Sequence, residues 1–246
     1  DSIGGGYVAV DLRTGEQKWK KDYVVNPTFA SLEWFDSPNQ HGVIPNGYLW
    51  ATQGTTWIAY DPIDGEWVFN ITNVPSGTRA YGPSGEVLQY QLDSGGKWLA
   101  LWNLTQVISN GTVGALAYSG YRPVGQVYNS TIRDSYSWNA SISGLTGTGW
   151  SIQRATTDVV LVMQGNLGTF NVQTGATIAS ISQDPNSKGQ VLWSKFYSAP
   201  SGNITRMLGP VDTVNRVFTM VDKETMKWSG YSLDSGSQIW GPVGDF

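Results

Sequence analysis

The residues with chemistry to offer are few. One histidine, His41, stands in "SPNQHGVIPNG", a run rich in proline, glycine and asparagine, and the chain has no cysteine. A Ser-His-Asp relay would have to be built on that loop. One histidine without thiolates leaves too few donors for a zinc or transition-metal centre. The aspartates fall mainly in turn-forming contexts, at Asp11, Asp61, Asp64, Asp93, Asp222 and Asp234, where their side chains bond the local backbone. Carboxylates at the alternating positions of a calcium loop do not occur. A glycosidase needs two acids at a set separation, and no feature of the sequence selects a pair. "SIGGGY" and "LTGTGW" are glycine-rich, but no helix follows either to aim N–H groups at a phosphate. No residue is therefore assigned a catalytic, cofactor-binding or metal-binding role.

The second chemistry is modification. Asn-X-Ser/Thr occurs at Asn70, Asn103, Asn110, Asn129, Asn139 and Asn203, about twice the number that chance would give at this Asn, Ser and Thr content. Glycans at these positions are expected. They go with an extracellular or cell-surface location and with a surface on which charged residues are 14% of the chain, against about a quarter in an average domain. The formal net charge of −4 argues against nucleic acid as a partner. No apolar run is long enough to span a membrane. The remaining functional candidates are tryptophans. Trp34, Trp50, Trp57, Trp150 and Trp193 stand outside any turn motif, and exposed indoles stack on sugar rings.

What positions these residues is a series of short strands. "YVAVDLRTGEQKWK" alternates apolar and polar residues from Tyr7, turns at Gly15, and closes on Trp19 four residues later. That is a hairpin whose glycine supplies a positive φ. "WIAYDPIDGEWVF" repeats it around Gly65, with Phe69 in place of the tryptophan, and "SGYSLDSGSQIW" repeats it around Gly236, ending on Trp240. "LQYQLDSGGKWLALW" and "GTFNVQTGATIA" carry weaker copies at Gly95 and Gly175. The spacing fits a unit of roughly 40 residues, the size of a propeller blade. "WLALWNLTQVI" reads as a strand running into a helical turn.

"AVDLRTGEQKW" resembles the tryptophan-docking motif of the pyrroloquinoline-quinone-type β-propeller repeat, Ala-x-Asp-x-x-Thr-Gly-x-x-x-Trp. Ala9, Asp11, Thr14, Gly15 and Trp19 match it. Ala59, Asp61 and Gly65 match in the second copy, and Ser235, Gly236 and Trp240 in the last. The resemblance implies an all-β fold, a β-propeller of four-stranded antiparallel blades. It also implies that each tryptophan packs against the tight turn of a neighbouring blade. Counted by hairpins, the chain holds about five blades plus a half-blade that begins at Tyr7. One domain over 1–246 is expected, as a segment of a longer chain and of a larger, seven- or eight-bladed propeller.

Catalytic members of that family hold a quinone and a calcium ion in the central funnel, many with a disulfide of adjacent cysteines. Without cysteines or a carboxylate cluster, this chain is expected to lack that cofactor. The reading is a non-catalytic, extracellular binding or structural module like those of archaeal surface proteins. Its partner would be a protein or glycan at the cell surface, with homo-oligomer formation or strand sharing as a further expectation. The alternatives are a carbohydrate-binding, lectin-like propeller and an enzyme, a hydrolase or quinone-dependent dehydrogenase, with an unrecognised acidic site.

Overall fold

In the computed structural model, residues 6–33, 46–112, 121–168 and 174–244 are described. The chain is all-β and built from blade-type sheets. The first is a hairpin of β1 (Tyr7–Val10) and β2 (Gln17–Lys21). Its turn is made by the residues themselves. Asp11 Oδ1 accepts from the backbone N–H groups of Arg13 and Thr14 at 2.9 and 3.1 Å. Gly15 N–H donates to the Asp11 carbonyl at 2.8 Å with φ at 74°, a conformation that glycine adopts without a Cβ penalty.

The second sheet runs in chain order through β3 (Pro27–Glu33), β4 (Asn46–Gln53), β5 (Thr56–Tyr60) and β6 (Trp67–Thr72). The third contains β7 (Thr78–Tyr81), β8 (Val87–Leu92), β9 (Trp98–Asn103) and, after an insertion, β11 (Tyr136–Ser141). The insertion carries helix α1 (Leu104–Ser109) and β10 (Val127–Asn129), which pairs parallel with β6 and makes the second sheet five-stranded. The strand-then-helix reading of "WLALWNLTQVI" holds, because the Asn103 side chain accepts from Thr105 N and caps the helix. The fourth sheet is β12 (Ser151–Ala155), β13 (Val159–Asn166), β14 (Gly175–Ser182) and β15 (Val191–Tyr197). The fifth is β16 (Arg206–Asp212), β17 (Val217–Asp222), β18 (Lys227–Ser232) and β19 (Gln238–Val243).

Among the described residues this makes four blades of four antiparallel strands, the first with β10 added at its edge and the second interrupted by the insertion, and one half-blade, against the five and a half counted from hairpins. The difference has a definite origin. The turns at Gly15, Gly65 and Gly236 join the last two strands of their sheets, as expected. The Gly95 turn joins β8 to β9, and Gly175 opens β14, so both belong to the middle of a blade. The φ-positive residue of the former is Gly96 (φ 67°) rather than Gly95. The first strands of three blades, β3, β7 and β12, are half-exposed and polar ("PTFASLE", "TRAY", "SIQRA") and carry little alternation to read. The strand expected at 169–172 lies outside the described residues, as do His41 and Trp34.

By contacts the chain forms two compact units, Asp1–Gln91 with Leu101–Trp138, and Leu92–Ala100 with Asn139–Phe246. The core of the first is aromatic. Trp50, Trp57, Phe69 and Trp102 are buried and meet edge to face, with ring centroids 5.4–5.9 Å apart, contacts worth about 0.5–1.5 kcal/mol each beyond their burial. The core of the second is aliphatic at Val159, Leu161 and Ile178 and aromatic at Phe218 and Tyr231.

Candidate functional site

The feature that recurs is a turn that receives a tryptophan. In the first unit Trp19, on β2, reaches the β5–β6 turn. Its Nε1–H donates to the Pro62 carbonyl at 3.0 Å. Four residues on, the Tyr23 hydroxyl donates to the Gly65 carbonyl at 3.0 Å, and between them the Lys21 ammonium pairs with Glu66. Gly65 is buried beneath these groups. A Cβ there would stand 2.8 Å from the Tyr23 hydroxyl, 2.9 Å from Lys21 and 3.1 Å from Trp19, so the glycine is required twice, for φ at 75° and for space.

The second unit repeats the arrangement. Trp193, on β15, donates through Nε1–H to the Leu233 carbonyl at 2.7 Å. Tyr197 donates to the Gly236 carbonyl at 2.6 Å, and Lys195 donates to Ser237 Oγ at 2.7 Å. A Cβ on Gly236 would lie 2.7 Å from the Trp193 ring. Both incoming strands carry the same pattern, Trp-x-Lys-x-Tyr, at 19–23 and 193–197. Burial raises the phenol pKa of Tyr23 and of Tyr197, so both hold their proton and donate.

The motif residues divide accordingly. Ala9 stands opposite Trp19 in the β1–β2 ladder, Ala59 opposite Phe69, Ser180 opposite Trp193 and Gly230 opposite Trp240. A small residue beneath the ring is thus common to four hairpins. Asp11 and Asp61 accept from the backbone two residues on, at Arg13 and Ile63. Thr14 Oγ1 and Ser235 Oγ accept from Glu16 N and Ser237 N. Trp193, first read as a residue outside the motif, is a docking tryptophan. Its own turn is three residues longer (Gly189 N–H to the Ser182 carbonyl, 2.9 Å) and has Ser182 where the motif has aspartate. The shared Trp-x-Lys-x-Tyr was the signal that could have found it.

Phe69 is fully buried and meets Tyr128 from the insertion instead of a turn. The insertion therefore replaces the docking turn of the third blade, and its helix closes over Glu33. That carboxylate is 5% exposed. It accepts from the Thr105 hydroxyl and, at 3.4 Å, from the Tyr121 hydroxyl. Burial pushes the Tyr121 and Tyr48 phenols well up, so this cluster is a set of proton-holding donors around one acid, a clasp between β3 and α1. In the second unit a cleft of about 270 Å³ is lined by Gln153, Arg154, Met163, Leu167 and Arg206. Arg206 spends its guanidinium on Asp222, at 2.6 and 2.8 Å.

Three of the sugar-stacking candidates are interior. Trp50 is fully buried and donates to Ser31 Oγ, while Trp57 and Trp150 are 5% exposed. Among the described residues no group of three or more His, Cys, Asp or Glu converges as metal ligands would.

The sequons split evenly. Asn70 accepts from the Trp67 indole at 2.7 Å, Asn103 caps α1, and Asn129 accepts from Thr131 and Asn73. Asn110, Asn139 and Asn203 are exposed.

No protein-family model matches the chain, and neither does any curated protein. Among solved structures it is similar to BamB from Moraxella catarrhalis, at 12% sequence identity and a TM-score of 0.38, over 96% of this chain and 67% of that one.

Proposed function

We propose that the chain is a binding or structural module of β-propeller type without catalysis of its own. It works outside the cell or on its surface and carries N-linked glycans. The observation that carries this reading is the β1–β2 sheet. Tyr7, Val8 and Val10 are 41–50% exposed and Leu12 is 99% exposed, and β1 pairs with β2 alone among the described strands. A two-stranded sheet is marginal in water by itself, and an open strand edge with apolar neighbours is a template for another strand. A surface of this kind is built to be covered by protein. The location is supported by the three exposed sequons and the low charge.

The test is cross-linking mass spectrometry on protein from its native source, followed at Lys18, Lys20 and Lys21 of β2. Cross-links from these lysines to another polypeptide segment, with slow hydrogen exchange at Tyr7–Val10, are expected. Fast exchange there without cross-links would refute the reading.

A further inference from the structure

Among the described tryptophans Trp67 is the most exposed, at 46%, and it sits on none of the docking turns. Its indole N–H is nevertheless engaged, donating to Asn70 Oδ1 at 2.7 Å. The two residues are three apart on β6, and regular alternation would send them to opposite faces of the sheet. A bulge prevents that. Tyr60 stands opposite Trp67 and Ala59 opposite Phe69, so Val68 is an extra residue. The broken alternation brings the ring to the side of Asn70.

The ladders place Ile58 of β5 and Val127 of β10 on either side of Asn70, and side chains opposite one another share a face. Ile58 is half-buried and Val127 is 62% exposed. Asn70 thus stands in an apolar surround that is open to solvent. The two ends of its amide differ. The oxygen is held by the indole, and the nitrogen has no partner among the described residues. Asn103 is the contrast, since its Nδ2 donates to Ser137 Oγ at 3.3 Å. Asn70 also opens the triplet Asn-Ile-Thr that ends at Thr72, the acceptor pattern for an N-linked sugar.

We infer that Asn70 carries a glycan whose first sugar lies along the Trp67 indole and covers the apolar face formed with Val127, so that the sugar is a packed part of the second sheet. In the transfer the bond from Nδ2 to the anomeric carbon forms, and the bond from that carbon to the phosphate of a sugar-diphosphate donor breaks. One proton leaves Nδ2, and the diphosphate departs with the electron pair. Oδ1 is untouched and still accepts from Trp67, which holds the amide with its nitrogen free. The ring supplies a flat apolar surface for the C–H face of the sugar, which removes both from water. The inference rests on the reading of the chain as a glycosylated module and assigns one of its glycans a structural platform.

The experiment uses the 246-residue chain secreted from a eukaryotic host, with its glycans trimmed to single N-acetylglucosamine residues. Thr72→Val removes the acceptor pattern and keeps Asn70 and Trp67. Loss of the Asn70 sugar in this way is expected to lower the denaturation midpoint when Trp67 is present and to leave it unchanged in a Trp67→Ser background. In NMR spectra the protons of the Asn70 sugar are expected upfield of those on Asn110, Asn139 and Asn203, and to return to their positions in Trp67→Ser. Trp67→Phe, which keeps a ring and lacks the N–H, should retain part of that shift.

An equal effect of the sugar in both backgrounds, or sugar protons that Trp67→Ser does not move, would overturn the inference. So would an Asn70 found bare in natively sourced protein that carries glycans at Asn110, Asn139 or Asn203, and in that case the glycosylated-module reading stands. Native protein bare at every sequon would instead remove the reading on which the inference rests.

Discussion

The indole of Trp193 donates to the main-chain carbonyl of Leu233, a residue forty positions away on the next sheet, at 2.7 Å. Trp19 makes the same bond to Pro62, forty-three positions on. A bond from a rigid aromatic ring to a carbonyl fixes distance and angle together, and burial of the ring removes water from around it. Two adjacent blades are thus joined by one side chain, one turn, and the tyrosine and lysine that follow. Because turn and ring come from different sheets, each can be tested separately.

Gly15 and Gly65 share a backbone conformation and differ in what lies above them. Alanine at either should cost about 1 kcal/mol for its positive φ. Gly65→Ala should cost about 1–3 kcal/mol more, because its Cβ is driven into the ring and the hydroxyl above it. Chemical denaturation of the two variants measures the difference directly. Equal losses would mean that Trp19 does not occupy the Gly65 turn in solution.

Trp193→Phe and Trp19→Phe keep an aromatic ring and remove the N–H. Each is expected to lose about 1–2 kcal/mol, the hydrogen bond together with an acceptor left partly unsatisfied. Trp240→Phe, at a ring 39% exposed and resting on Gly230, should change stability by less than about 0.5 kcal/mol. Thermal unfolding of the three variants ranks them, and a larger loss at Trp240 would contradict the docking assignment.

Ser180 stands beneath Trp193, where the β1–β2 and β5–β6 hairpins have Ala9 and Ala59. Its hydroxyl is buried and, among the described residues, has no hydrogen-bond partner, a state that costs about 1–3 kcal/mol. Ser180→Ala should therefore raise stability, by about 1 kcal/mol, measured as a higher denaturation midpoint at unchanged slope.

Glycan occupancy should follow side-chain freedom. Asn110, Asn139 and Asn203 are expected to be modified. Asn103 is expected to be bare, because its side chain caps α1 and its sequon threonine, Thr105, is 5% exposed and bonded to Glu33. Glycopeptide mapping of natively sourced protein decides each site. A glycan on Asn103 would mean that α1 forms after modification.

Acid should unfold the chain late. Burial raises the Asp158 carboxyl, but hydrogen bonds from Thr156 and Arg216 outweigh it and hold the group below its ordinary value of 3.8. Bonds from Asn215 lower Asp212, and the amides of Arg13 and Thr14 lower Asp11. A carboxylate depressed in the folded state contributes stability above its unfolded pKa and loses it as pH falls through the folded one. Stability is expected to be level from pH 5 to about 4 and to fall below that, with the fall shallower in Asp158→Asn. Denaturation midpoints across this range check it.

Sequence patterning was enough for the class of the chain, and for the turns at Gly15, Gly65 and Gly236 with Ala9 and Ala59 before the first two. All of these depend on contacts within a few residues, where spacing and backbone preference speak directly. Trp19 was legible as a docking residue because its hairpin is complete. The rest depended on which strands lie side by side. The hairpins at Gly95 and Gly175 read like the outer turns in sequence, and only their place inside a sheet shows that they join middle strands. Trp193 looked free because its turn is lengthened, and Trp50 and Trp57 looked available because burial is a property of the packed sheets. The tertiary structure alone decided that the insertion after β9 takes the place of a docking turn. It also decided that Gly15 lies uncovered among the described residues, since both facts are a contact, or the lack of one, between segments tens of residues apart.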